Sequence, residues 1–189
     1  MACLNAEEGC NVQCDPARLA EYYQRLFRQP RQSLQRFSRE EIDRGFQHMI
    51  NCNVPVGVID VIWSDSVPVQ QREQVIRAMA SLYGELFDDD PLFGTPFMWW
   101  DPIASEFIRR GQRPADSPVV RRLFDASFET LVEILGLSSL ESQKAALHGL
   151  NHLQHEGTPA VIDEYVRTHP DLPPEQRQFA RLAALGMLP

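Results

Sequence analysis

Long apolar runs are missing from these 189 residues. Nothing approaches the roughly 18 consecutive apolar residues that a membrane-spanning helix needs, so no membrane partner is expected. Basic runs are missing too. The 18 Lys and Arg stand against 26 Asp and Glu, giving a formal net charge of −8. Nucleic-acid binding relies on Lys and Arg neutralising phosphates, so no nucleic-acid partner is expected either. A protein or peptide partner of basic character suits the acidic balance better. The opening stretch MACLNAEEGCNVQCD has neither a basic start nor an apolar core. It does not read as a secretory signal, and the expected location is the cytoplasm.

A CxxC pair is absent as well. Cys3, Cys10 and Cys14 cluster near the N-terminus, and Cys52 stands alone. Residues 1–14 are expected to form a tail whose thiols stay reduced in a cytosolic chain. The alternative is a zinc clip built from the three N-terminal thiolates and one histidine. Catalytic signatures are also lacking: there is no G-x-x-x-x-G-K-S/T, no G-x-G-x-x-G, no G-x-S-x-G and no H-E-x-x-H. The expectation is therefore a non-enzymatic protein without a cofactor.

What the chain does contain is helix punctuation. Asp15-Pro16 and Ser117-Pro118 each pair an N-cap residue with proline at the first helical position, where its missing N–H costs nothing. Ser38 to Glu41 (SREE) fits a capping box, and Ser138 to Glu141 (SSLE) has the same spacing. Thr158-Pro159 opens a further helix. Alternating strand patterns are nearly absent. Only VPVGVIDVIW (54–63) is β-branched enough to pass for a buried strand.

An internal repeat resolves that segment. GFQHMINCNVPVGVID begins at Gly45 and GLNHLQHEGTPAVID at Gly149. Glycine and proline are ten residues apart in both copies, and both continue Val-Ile-Asp after one inserted residue, Gly57, in the first. The match runs on into VPVQQREQVIRAMASLYG (67–84) and LPPEQRQFARLAALG (172–186). Two related units follow, about 15–86 and 117–187, within one all-α domain at 15–189. Because Thr158-Pro159 starts a helix, Pro55 is expected to start one too, which makes 54–63 helical. Roughly seven to nine helices are expected in total.

Between the units, residues 88–116 are broken by proline and glycine. Phe97, Met98, Trp99 and Trp100 are too apolar for a free linker. The preferred reading has them plugging the junction between units; the alternative makes Phe97, Trp99 and Trp100 an exposed partner-binding patch. The short amphipathic helices, the prolines at helix starts and the AALHGLNHL helix followed by PAVIDEYV resemble the HEAT/armadillo group of helical repeat proteins. That resemblance implies a right-handed α-α superhelix of stacked antiparallel helices, serving as a protein-protein interaction or scaffold module.

The histidines of the second copy carry the rival reading. On a wheel at about 100° per residue, Ala146, Leu150 and Leu153 form the core stripe. His148, His152 and His155 fall at i, i+4 and i+7 on a separate stripe, with Glu141 near it and Glu156 or Asp163 within reach. One helix can offer two imidazoles to a metal in this way, so the alternative function is a metal-dependent hydrolase or metal-binding protein. The repeat favours packing instead. Only His152 has a counterpart, His48, while positions 148 and 155 correspond to Arg44 and Asn51. On the packing reading His48 and His152 make equivalent contacts, and His148 and His155 face solvent or polar neighbours. The duplicated Asp60 and Asp163 are read as acceptors for helix N-terminal N–H groups rather than as an acid–base pair.

Overall fold

The computed structural model describes residues 14–51, 57–89, 92, 94–111 and 114–188. The helix starts read from the sequence are made by side chains. Asp15 accepts from the Ala17 N–H at 3.2 Å and opens α1 (Pro16–Arg28), which a short α2 (Pro30–Leu34) follows. Ser38 opens α3 (Arg39–Ile50) with a complete capping box. The Glu41 N–H donates to the Ser38 hydroxyl at 3.3 Å, and the Ser38 N–H donates to Glu41 Oε2 at 2.8 Å. The β-branched stretch then forms α4 (Val58–Ile62), a helix with four of its five residues buried. Burial of those valines and isoleucines outweighs their modest strand preference. The expected start at Pro55 lies outside the described residues, as do Cys3, Cys10 and Cys52; Cys14 is half-buried.

The first unit closes with α5 (Val69–Leu82), which runs into a π-helical turn (Tyr83–Phe87). The insert supplies α6 (Thr95–Met98) and α7 (Asp101–Arg109), and the second unit supplies α8 (Pro118–Leu135), α9 (Leu140–Leu153), α10 (Thr158–Thr168) and α11 (Pro174–Ala184). Among the described residues there is no strand, so the all-α expectation holds. Among the described residues eight helices run nine residues or longer, and α2, α4 and α6 are single turns.

One expected cap is displaced. The helix α9 is capped by Ser139, whose hydroxyl accepts from the Ser142 N–H at 3.4 Å. Ser138 instead donates its hydroxyl to Asp88 Oδ2 at 3.0 Å, and the Ser139 N–H donates to Asp88 Oδ1 at 3.2 Å. Asp88 follows the π turn, so a carboxylate at the start of the insert holds the entry to α9. The sequence pattern reads a box one residue early because two serines stand in a row.

Packing runs helix to helix. The main neighbours are α1 with α5, α5 with α8, α8 with α9, α9 with α11, and α11 with α10. Across the unit boundary Glu73 accepts from Arg122 Nε at 2.9 Å, and Glu129 lies 2.6 Å from Arg77. Both pairs advance along α5 and α8 together, so these two helices run in the same direction. The two units are not packed alike. Helix α1 leans chiefly on α5, whereas its sequence counterpart α8 leans on α5 and α9.

The two tryptophans of the insert are buried. Trp99, fully buried, meets Phe27, Phe46 and Phe87 edge-on at centroid distances of 5.7, 5.6 and 6.2 Å, and its indole Nε1 lies 3.3 Å from Met79 Sδ. All four belong to the first unit. Trp100, 1% exposed, packs against Gly149 of the second, where an added Cβ would sit 2.9 Å from Trp100 Cβ. Trp99 therefore packs into the first unit, whereas Trp100 lies between Gly149 of the second and Tyr83 at the close of the first. Aromatic burial of this size dominates a small core. The partner-patch alternative does not describe Trp99 or Trp100, because neither presents surface to a partner. Met98 between them and Phe97 is the exposed member, at 48%.

Candidate functional site

Helix α9 is buried on almost every side. Ten of its fourteen residues, Ser142 through Leu153 with few gaps, are shielded from water. Helices α8 and α11 cover it from within the second unit, and α6 and α7 cover it from the insert. A helix covered all round has no solvent stripe to spare, whatever an isolated wheel suggests. His148 is accordingly 4% exposed, so of the two surroundings expected for it, solvent or polar neighbours, solvent is ruled out.

The insert builds the pocket around His148. Its ring stacks on Phe97 at a centroid distance of 4.2 Å and an interplanar angle of 18°. Its Nδ1 lies 3.2 Å from the Phe97 carbonyl oxygen and 3.1 Å from Asp101 Oδ1. A carbonyl only accepts, so Nδ1 carries the ring proton toward Phe97. The opposite nitrogen, Nε2, faces His152 Nε2 at 3.1 Å, one turn along the same helix. His152 Nε2 is in turn 3.9 Å from Asp101 Oδ1. Asp101 is the first residue of α7, and its Oδ1 is buried without a hydrogen-bond donor aimed at it. One ligand atom from each of Asp101, His148 and His152 lies within 4.8 Å of the other two.

The other two residues of the predicted face are elsewhere. His155 lies beyond the end of α9, because Gln154 takes a left-handed backbone (φ 51°) and turns the chain. Its ring is 8% exposed and stacks on Phe128 at 3.9 Å. Nδ1 accepts the Gly157 N–H at 3.0 Å, which leaves Nε2 to donate to Asp125 Oδ1 at 3.1 Å. His155 thus ties the α9–α10 turn to α8. Glu141 sits in the first turn of α9, exposed, and pairs with Lys144 at 2.9 Å. Neither belongs to the His148–His152 cluster.

The duplicated residues behave unlike one another. His48 is exposed, while His152 is half-buried beside His148 and Asp101. Asp60 accepts the Gly57 N–H at 3.0 Å, as a helix-start acceptor should, but Asp163 stands exposed on α10. Glu156 pairs with Arg121, whose guanidinium holds its carboxyl below the ordinary range.

Sequence reasoning missed Asp101. Its signal was an acid and proline, Asp101-Pro102, directly after two tryptophans: a charged group at a helix start inside an apolar insert. Around it, burial pushes the Tyr83 phenol well above its ordinary value, and that hydroxyl donates to the Pro96 carbonyl. A separate cleft of about 200 Å³ opens between α9, α10 and α11, lined in part by Asn151, Gln154, Thr158 and Leu185. Leu185 in its lining is 69% exposed, and Met187, two residues further on, is 64% exposed.

Comparison of the chain with family models, curated proteins and solved structures gives no match. Among the described residues, no helix is long and apolar enough to cross a membrane.

Proposed function

We propose that the chain is a non-enzymatic interaction module: a right-handed α-α superhelix of the HEAT/armadillo kind, acting in the cytoplasm as a scaffold for a basic protein or peptide. The observation that carries this reading is the serial packing of α1, α5, α8, α9, α11 and α10, with α6 and α7 laid against α9. Helices stacked in a row touch mainly their neighbours and leave an extended surface for a partner. Leu185 and Met187 beside the α9–α11 cleft supply apolar contacts, and the acidic excess supplies attraction to Lys and Arg.

The test is capture by the immobilised chain from an array of basic and acidic peptides, repeated at rising salt. Binding to basic peptides that weakens with salt is the expected result. Leu185→Ser and Met187→Ser should reduce capture while leaving thermal melting unchanged. Equal capture of acidic and basic peptides, or turnover in a broad hydrolase screen with no captured peptide, would reverse the reading.

A further inference from the structure

We propose that Asp101, His148 and His152 form a three-ligand site for a divalent transition-metal ion of the zinc class. The argument begins with the two imidazoles. They stand at i and i+4 on α9 with their Nε2 atoms 3.1 Å apart. Nitrogens bound to one zinc at about 2.0–2.1 Å and separated by 3.1 Å subtend roughly 100° at the ion, close to tetrahedral. The pair needs no rearrangement to reach that geometry.

The ring orientation of His148 is already that of a ligand. Its Nδ1–H is directed to the Phe97 carbonyl, and the stack on Phe97 holds the plane of the ring. Metal-ligating histidines characteristically spend their second nitrogen on a carbonyl or carboxylate, which fixes the tautomer and raises the basicity of the first. Here the carbonyl comes from the insert and the ring from the second unit.

The carboxylate supplies the independent observation. Asp101 Oδ1 is buried, 3.1 Å from His148 Nδ1 and 3.9 Å from His152 Nε2, and with the Nδ1–H directed at the Phe97 carbonyl it receives no hydrogen bond. A buried carboxylate oxygen without a donor is costly unless something positive meets it. A dication between the three ligand atoms meets it and matches the nitrogen and oxygen ligands zinc accepts. The side chains of His152 and Asp101 are 32% and 23% exposed, so the cluster reaches solvent on that side. A fourth position there would take water. Bound metal would also pin α7 to α9, and through them the insert to the second unit.

The experiment uses the full chain, purified without a histidine tag and stripped with a chelator. Cobalt(II) is titrated in as the spectroscopic probe, and zinc is then added as competitor. The expected result is one equivalent of cobalt with the intense visible absorption of a four-coordinate ion, displaced by zinc. His152→Ala and Asp101→Asn should each weaken binding at least about tenfold. Glu141→Gln and His48→Ala should leave it unchanged. Zinc should raise the melting temperature of the parent chain and not that of His152→Ala. Circular dichroism confirms that each variant is folded. Absence of stoichiometric binding in the parent chain overturns the site, and so does equal affinity in folded His152→Ala or Asp101→Asn. Loss of binding in Glu141→Gln would overturn the ligand set.

Discussion

The Nε2 atoms of His148 and His152 lie 3.1 Å apart on successive turns of α9, and the two side chains differ sharply in burial: 5% against 32% exposed. Without metal the contact is a hydrogen bond, with His152 donating to the His148 nitrogen opposite the protonated Nδ1. That asymmetry predicts unequal costs. Changing His152 to alanine removes one partly wet hydrogen bond, worth about 1 kcal/mol. Changing His148 to alanine empties a stacked, buried position and strands the Phe97 carbonyl, so the cost rises to about 2–3 kcal/mol. Urea melts in chelator measure both, and equal losses would contradict the geometry.

The two repeated glycines give the second prediction. A Cβ on Gly149 would lie 2.6 Å from Leu131 Cδ2 and 2.9 Å from Trp100 Cβ. The leucine methyl can swing aside, but the tryptophan Cβ is fixed to its backbone. Overpacking of about 1–3 kcal/mol therefore outweighs the helix-propensity gain of about 1 kcal/mol. Gly45 has nothing within 4 Å of its added Cβ. Gly45→Ala should stabilise by roughly 0.5–1 kcal/mol, because only the propensity term remains. Opposite signs in the two melts are expected, although both glycines stand three residues before a histidine.

Those glycines also show what could be read before the fold was known. Helix starts were legible because a cap is local: Asp15, Ser38 and Ser117 each need only a neighbour two or three residues on. The helicity of 58–62 was legible through its second copy. The surroundings of α9 were not. Nothing within residues 140–153 announces that α6 and α7 cover the histidine stripe, since Phe97 and Asp101 come from far along the chain. His155 was misplaced for a different reason. A wheel assumes the helix continues, and the left-handed Gln154 ends it two residues too soon. The repeat transferred roles poorly: His48 is exposed where His152 is half-buried, and Asp60 accepts a helix-start N–H where Asp163 stands exposed.

The junction plug makes a third prediction. Trp99 touches aromatic rings on α1, α3 and the π turn, with no exposed surface of its own. Trp99→Ala should cost about 3–5 kcal/mol in denaturant melts. Met98→Ala, one residue away and half exposed, should change stability by less than about 0.5 kcal/mol. A small loss at Trp99 would mean that the two units hold together without the insert.

Acid should weaken the chain through its helix starts and exposed pairs. Glu41 is held below its ordinary value of 4.5, first by the Ser38 backbone N–H and then by the Ser38 hydroxyl. Glu156 and Glu164 are lowered in the same direction, chiefly by hydrogen bonds from Arg121 and Arg167. A carboxyl whose folded value is depressed contributes fully above its unfolded value. That contribution fades as pH falls through the folded value. Thermal melts should therefore fall on the acid side, beginning near pH 4.5. Glu41→Gln keeps a hydrogen-bonding side chain at the third helical position but removes the charge. Its melting temperature should lie slightly below that of the parent chain above pH 4.5 and converge with it at lower pH. Circular-dichroism melts of the two proteins across the acid limb test this directly. Parallel curves that never converge would show that the Ser38–Glu41 box acts through packing alone and not through its carboxylate.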